Sequence, residues 1–424
     1  MADQRTEITE LATALGTLGR DTLTEAVEHG VRTGALANVE PSRLHALHDR
    51  AVAGAHEALA SAAFANGRAF LGARDGLRGR PPVRIEWTGA RRPPGYDLLP
   101  ADLRIDHVYL VSCKYQSRLL MNASPAHVFD RLLAVRTGPQ GEPVVDWYSS
   151  VAACEYAELY EAVRRELHWA SLPHSADRLT AEDRRLIAKH CQRRWPKAVQ
   201  ASYERMCAAV SDVTARRWSA SMPALREREQ VLWRLLRLAD SPYFVLGSSG
   251  NRVLRLRIGT PWDWRQRYRL RSFDVSPSPA RQPRVGWHAA VLDMASGDER
   301  TVRGHVEVRW SHGRFCGMPE AKVYLDTPHE HVPGYFPLEG VQELALASSA
   351  GARRLVRGTG GSGSTDGTGG TGGSGVTGGS GGTARLVAAS QGRATVPARV
   401  ATLPFGHIEV AHPGGTREGE GTWT

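Results

Sequence analysis

Residues 97–118, DLLPADLRIDHVYLVSCKYQSR, decide how the first half of the chain is read. Asp102-Leu103-Arg104-Ile105 alternates polar and apolar residues like a short strand, and Asp106-His107 has the length of a two-residue turn. Residues 108–114, Val-Tyr-Leu-Val-Ser-Cys-Lys, are a β-branched and aromatic run of strand length. A tight β-hairpin follows from that spacing. It sets a carboxylate, Asp102, on the first strand across from Lys114 at the end of the second.

The flanks extend this reading. Apolar residues recur at helical spacing through 6–32 (Ile8, Leu11, Leu15, Leu18) and 40–75 (Leu44, Leu47, Ala51, Ala55, Leu59), with Pro41-Ser42 opening the second stretch. Residues 83–88, VRIEWT, read as a strand, Ser124-Pro125 opens a helical run over 126–135, and 143–147, PVVDW, reads as a further short strand. An acid and a lysine on neighbouring strands suit metal-assisted phosphodiester cleavage. The cation polarises the phosphoryl oxygen and lowers the pKa of a water, while the lysine orients or deprotonates that water. Magnesium commonly takes only one or two protein carboxylates. The bland alternative is a structural hairpin whose lysine reaches solvent.

The order of helix, strand, hairpin, helix and strand, with Asp102 and Lys114 on the hairpin, resembles the restriction-endonuclease-like, or PD-(D/E)XK, nuclease superfamily over about residues 40–150. The resemblance implies a core of a helix, three mostly antiparallel strands, a second helix and a further strand. Asp102 and Lys114 carry over best, Asp97 and Asp106 stand as substitutes for Asp102, and Gln116 falls where some relatives carry a glutamine after the lysine. One position departs from the pattern: Ser112 stands two residues before the lysine, where the family has an acid. A hydroxyl is a poor ligand for a hard cation, so a second carboxylate has to come from elsewhere. Glu57 in the first helix and Glu86 in the first strand are the candidates, each also readable as an ordinary surface glutamate. The implied catalytic set is Asp102, Lys114, Glu57, Glu86 and Gln116, with Asp102, Glu57 and Glu86 holding Mg2+ or Mn2+.

The implied activity is that of a metal-dependent DNA endonuclease, as in restriction or mobile-element defence. Protein partners in a defence system, and a homodimer for two-strand cleavage, are the expected company. Ser112 motivates the alternative, a catalytically silent nuclease-fold subunit that binds nucleic acid or a partner. No glycine-rich phosphate loop, zinc signature or nucleophile elbow supports a small-molecule enzyme.

Composition agrees with an acidic macromolecular partner: 54 Lys and Arg against 44 Asp and Glu give the 424 residues a formal charge of +10. GC-rich coding, which inflates arginine, explains the same excess equally well. The five cysteines are widely spaced with no CxxC pair, as for reduced thiols in a cytosol. The polar N-terminus and the lack of an 18-residue apolar run lead to the expectation of a cytoplasmic protein with no membrane partner.

The expected fold class is α+β, with an N-terminal helical segment (1–39), a nuclease-like α/β core (40–150), a helical connector (151–240), an antiparallel β-rich domain (241–345) and a Gly/Ser/Thr-rich flexible tail (346–424). The connector carries arginines among Trp195, Tyr203 and Trp218, which suits either a nucleic-acid-facing surface or a solvated helix face. In the β-rich segment Arg255, Arg257, Arg269 and Arg271 alternate with apolar residues, so one sheet face is expected to be basic. With Arg309 and Arg314 these are the candidate nucleic-acid contacts. Glu320-Ala321-Lys322 has acid-x-lysine spacing and forms a weaker rival signature, and His329-Glu330-His331 reads as a solvent-exposed loop pair.

Overall fold

The chain begins with helices α1 (Gln4–Gly16) and α2 (Leu23–Thr33), the short strand β1 (Leu36–Ala37), and helices α3 (Pro41–Val52) and α4 (Glu57–Gly72). The structure is a computed structural model describing residues 4–340 apart from 53, 55, 90–100, 135–145, 170, 192–193, 240–241 and 279. Backbone contact between α1 and α4 is possible because glycine lies on both sides. A Cβ on Gly67 would sit 2.1 Å from the Thr13 carbonyl oxygen, and one on Gly16 would sit 2.2 Å from that of Phe64. Side-chain size at a helix crossing sets the distance between axes. This crossing therefore seats α1 close against α4 and the sheet beneath them.

Strands β2 (Ile85–Trp87), β3 (Leu103–Ile105) and β4 (Tyr109–Tyr115) follow. Asp106 and His107 turn between the last two with φ of 48° and 60°. Two successive positive φ angles are the mark of a type I′ hairpin, whose twist matches that of the strands. The Asp106 Oδ1 accepts the backbone N–H of Val83 and Arg84, both at 2.9 Å. Asp106 thus serves the turn rather than substituting for Asp102, and Asp97 lies outside the described residues.

Next come β5 (Leu119–Ala123), α5 (Pro125–Phe129), α6 (Trp147–Val151), α7 (Ala153–Leu167), α8 (Ala181–His190), α9 (Lys197–Ala220) and α10 (Leu225–Leu235). Two expectations fail here. The helix read over 126–135 stops at Phe129, and Leu132 and Leu133 take left-handed backbone angles. The strand read over 143–147 is absent at its described end: Asp146 accepts the Tyr148 N–H at 2.9 Å and caps α6. The Asp146 side-chain oxygen at the helix start makes it a cap rather than a strand residue.

The remaining elements are β6 (Tyr243–Ser249), β7 (Arg252–Ile258), α11 (Pro261–Arg267), β8 (Tyr268–Pro277), β9 (Arg284–Asp293), β10 (Glu299–Arg309), β11 (Glu320–Leu325) and β12 (Tyr335–Pro337). They complete two sheets. The first has the order β1-β2-β3-β4-β6-β7-β12, and the second the order β5-β11-β10-β9-β8. In the first, β1 runs parallel to β2 and β4 parallel to β6, and its other pairs are antiparallel. The second is antiparallel throughout. The fold class is α+β, as the sequence indicates.

One core packs α1, α3 and α4 on one face of the first sheet through Ile8, Leu11, Leu15, Phe70, Ile85, Leu103, Val111 and Phe244. The other joins α5–α11 to the opposite face and to the second sheet through Phe129, Trp218, Trp264, Val245 and Phe273. Strand alternation therefore turns Val111, Cys113 and Tyr115 toward α1 and α4, and Leu110, Ser112 and Lys114 to the opposite face. Residues 116–118 lead from β4 into the second sheet, and residues 326–334 lead from β11 back to β12. The end of β11 meets the first of these connections, the Leu325 N–H donating to the Arg118 carbonyl at 2.9 Å.

Candidate functional site

Asp102 precedes β3 at the sheet end where β4 finishes. Its backbone N–H donates to the Val111 carbonyl at 2.9 Å. Its Oδ2 accepts the Ser112 hydroxyl at 3.0 Å and the Cys113 backbone N–H at 2.7 Å. Ser112 is therefore oriented at the position where the family pattern has an acid, and it donates to the aspartate. Lys114 shares the face of Ser112 one strand repeat further on. The Tyr243 hydroxyl is buried beside Ser112 and Asp102, and burial pushes its pKa up, with Asp102 adding to the effect.

A further buried acid that neither periodicity nor motif singled out lies near Asp102. Glu10 on α1 is buried, and its Oε2 accepts the Trp87 indole N–H at 2.6 Å. Its pKa is pushed up to about 8, first by burial and then by the negative charge of Asp102, while Trp87 and Lys114 pull it down. Asp102 and Lys114 thus act on Glu10 in opposite senses. Glu7, one turn earlier, is bound by Arg43 at 2.7 Å, and Arg43 lies over the Trp87 ring at 4.6 Å. One turn later, Thr13 bonds the Tyr115 hydroxyl at 3.0 Å. The signal in the sequence was Glu7, Glu10 and Thr13 at three-residue spacing along α1, of which Glu10 and Thr13 meet the sheet at Trp87 and Tyr115.

The two glutamates proposed from the resemblance are elsewhere. Glu57 is exposed in the first turn of α4. Glu86 is buried, but its strand position turns it away from Trp87 and α1. There it is held by Arg84 at 3.1 Å, by Arg104 directly opposite on β3, and by His107 at 3.5 Å. A carboxylate so surrounded by cations is a structural ion cluster. Gln116 is likewise structural: its side-chain amide donates to the Gly250 carbonyl at 2.8 Å and accepts the Gly250 N–H at 2.8 Å, clamping the β6–β7 turn.

The arginine candidates divide. Arg255 and Arg257 lie on β7 in the first sheet, Arg269 and Arg271 on β8 in the second, so they form no common basic face. Arg255 donates to Asn66 at 2.9 Å, and Arg257 to Asp263 at 3.2 Å. Arg309 sits 3.7 Å from Glu307. Arg314 stacks over Trp195 at 3.9 Å and donates to the Cys191 carbonyl, its pKa lowered by burial. Arg269 and Arg271 are exposed on the outer side of β8. The rival Glu320 receives Asn122 at 2.8 Å and the Ser311 hydroxyl, and Lys322 stands opposite Glu307, an interlocked strand face. Of the histidine pair, His331 is exposed but His329 is buried.

Among the described residues, no group of three or more His, Cys, Asp or Glu side chains is arranged to hold a metal ion. The negative charge of Asp102 opposes ionisation of the buried Glu10 carboxyl. Two carboxylates meet the protein share of a magnesium site. Among the described residues no helix is long and apolar enough to cross a membrane. Set against protein-family models, curated proteins and solved structures, the chain gives no match.

Proposed function

We propose that the protein is a metal-dependent phosphodiester hydrolase acting on DNA, with its site on the hairpin of β3 and β4. The observation that carries this reading is the buried Glu10 of α1, whose pKa Asp102 raises and Lys114 lowers, beside an Asp102 carboxylate fixed by Ser112 and the Cys113 N–H. The topology supports it as well. Helix α4, the antiparallel strands β2, β3 and β4, intervening helices, and β6 parallel to β4 follow the order that the resemblance to restriction-endonuclease-like nucleases implies. The fourth strand of that core is then 243–249, with the helices of 147–235 inserted before it, rather than 143–147.

In this reading Asp102 and Glu10 would hold Mg2+ or Mn2+, and the bound cation would supply polarisation of the phosphoryl oxygen and a lowered pKa for a water. Ser112 fixes the Asp102 carboxylate through Oδ2 and leaves the role of second ligand to Glu10. Trp87 orients Glu10. Lys114 presents its ammonium on the face of Ser112 and Asp102, where it orients water or steadies the phosphate. The net charge of +10 favours a polyanionic substrate.

A second reading is favoured by the same Ser112–Asp102 bond: a silent nuclease fold that binds DNA as a subunit of a larger complex. The test is cleavage of plasmid and single-stranded DNA with Mg2+ or Mn2+ by the wild type beside Asp102→Ala, Lys114→Ala and Glu10→Ala. Metal-dependent cleavage lost in all three supports the hydrolase. Salt-sensitive binding without cleavage supports the subunit, and cleavage that survives all three rejects the site.

A further inference from the structure

Asn66 lies on α4 and is 2 % exposed, a polar side chain among the buried Ala63, Phe64 and Phe70 of that helix. A buried amide is tolerated where its donors and acceptor are met. Here they are: Nδ2 donates to the Tyr115 hydroxyl and to the Gly247 carbonyl, each at 3.1 Å, and Oδ1 accepts the Arg255 Nε–H at 2.9 Å. A flipped amide would set its N–H groups against the guanidinium and its oxygen against the Gly247 carbonyl, so these partners fix its orientation.

The bonds beyond Asn66 have a definite sense. The Thr13 hydroxyl donates to the Thr9 carbonyl at 2.7 Å, so its oxygen accepts at the 3.0 Å contact with Tyr115. The Tyr115 hydroxyl therefore accepts from Asn66 and donates to Thr13. Burial pushes the Tyr115 pKa up, which keeps that proton on its oxygen. Donors thus point one way from Arg255 on β7, through α4 and β4, to α1, and in such chains each bond polarises the next.

The network ends beside both halves of the proposed site. Thr13 is one turn after Glu10 on α1, and Glu10 is bonded to Trp87 at 2.6 Å. Tyr115 follows Lys114, and Gly247 is the β6 residue paired with Lys114, so close that a Cβ on it would lie 1.9 Å from the Lys114 carbonyl oxygen. Asn66 therefore grips the strand of the lysine directly and the helix of the acid through Tyr115.

We propose that Asn66 and Arg255 are positioning residues that set Glu10 against Lys114, Arg255 acting through Asn66 rather than on DNA. The contribution to catalysis rests on the hydrolase reading, whereas the tie between α1 and the sheet does not. Arg255→Met removes the donor that fixes the amide, Arg255→Lys keeps one, and Tyr115→Phe cuts the link to α1. Each variant keeps most of the side-chain bulk. The first readout is the Trp87 indole N–H in proton–nitrogen correlation spectra, identified as the resonance lost in Trp87→Phe. It moves toward the position of an unbonded indole in Arg255→Met and Tyr115→Phe, and Arg255→Lys restores part of the shift. The second readout is cleavage. Arg255→Met lowers kcat about tenfold to a hundredfold with KM within about twofold, the scale expected for a displaced catalytic group, whereas loss of a DNA contact would raise KM at unchanged kcat. An indole resonance indifferent to Arg255→Met and Tyr115→Phe overturns the proposal whether or not the protein cleaves DNA, as does an active Arg255→Met enzyme with wild-type kcat. A resonance that moves in a protein without cleavage supports the tie and rejects the hydrolase instead.

Discussion

Glu10→Gln is the substitution that most directly tests how the site is built. The folded protein holds the Glu10 proton up to about pH 8 against an ordinary value of 4.5, because burial and Asp102 oppose ionisation. Between these values the folded state binds more protons than the unfolded state, so stability falls as pH rises. The stabilising proton is fully present below pH 4.5 and its contribution is lost through pH 8. Each pH unit in the window removes about 1.4 kcal/mol, so the loss relative to acid is at most roughly 3 kcal/mol at pH 7 and roughly 5 kcal/mol above pH 8. Glutamine keeps an acceptor for the Trp87 N–H, which lies 2.6 Å from Glu10 Oε2, and does not titrate. Glu10→Gln is therefore as stable as the wild type at pH 4.5 and more stable by up to about 3 kcal/mol at pH 7, a large share of a typical 5–15 kcal/mol. Urea unfolding followed by tryptophan fluorescence at pH 4.5, 7 and 8.5 measures this. Added Mg2+ should narrow the gap at pH 8.5, because a cation compensates the ionised carboxyl in the wild type alone. Parallel stability curves for the two proteins across the whole range would refute the burial of Glu10 against Asp102, and with it the site.

Gly67→Ala puts a Cβ 2.1 Å from the Thr13 carbonyl, so α1 must move or the helix must bend. A loss of about 1–3 kcal/mol in urea unfolding is expected, together with weakened Mg2+ stabilisation because Glu10 travels with α1. Arg269→Ala with Arg271→Ala should flatten the salt dependence of DNA binding by about one to two phosphate contacts without changing the melting temperature. Arg314→Ala should do the reverse, since its guanidinium lies over Trp195. Asp293 is fully buried between Arg267 and Arg300, at 2.9 and 2.7 Å, and these partners hold its pKa below the usual 3.8. Asp293→Asn should cost about 1–2 kcal/mol near neutral pH, because the charge-assisted bonds to the half-exposed Arg267 and Arg300 are lost. That difference should shrink in acid, because the stabilisation from a depressed carboxyl is lost as pH falls below 3.8; thermal unfolding at pH 3 and pH 7 checks it.

What the chain reveals unaided is local. The alternation in 102–105, the two-residue turn and the β-branched run after it specify the hairpin, because strand period and turn geometry act over a few residues. That hairpin settles the relation between Asp102 and Ser112, and with it the face that Lys114 occupies. The same local logic marks the N-terminal helices, the later strands and the α+β class. Non-local facts were not legible. The acid that feels the charge of Asp102 is Glu10 rather than Glu57 or Glu86 because two glycines let α1 pack against α4, and because pleat alternation turns Glu86 toward Arg84 and Arg104. Neither cause is written near the residue it governs. The supposed basic face dissolved because β7 and β8, neighbours in sequence across one short helix, pair into different sheets. Periodicity reports which side of a strand a residue occupies, but only pairing across distant segments decides what stands on that side. Hence the sequence by itself determined the hairpin and its lysine, and tertiary packing decided which buried acid feels their charge.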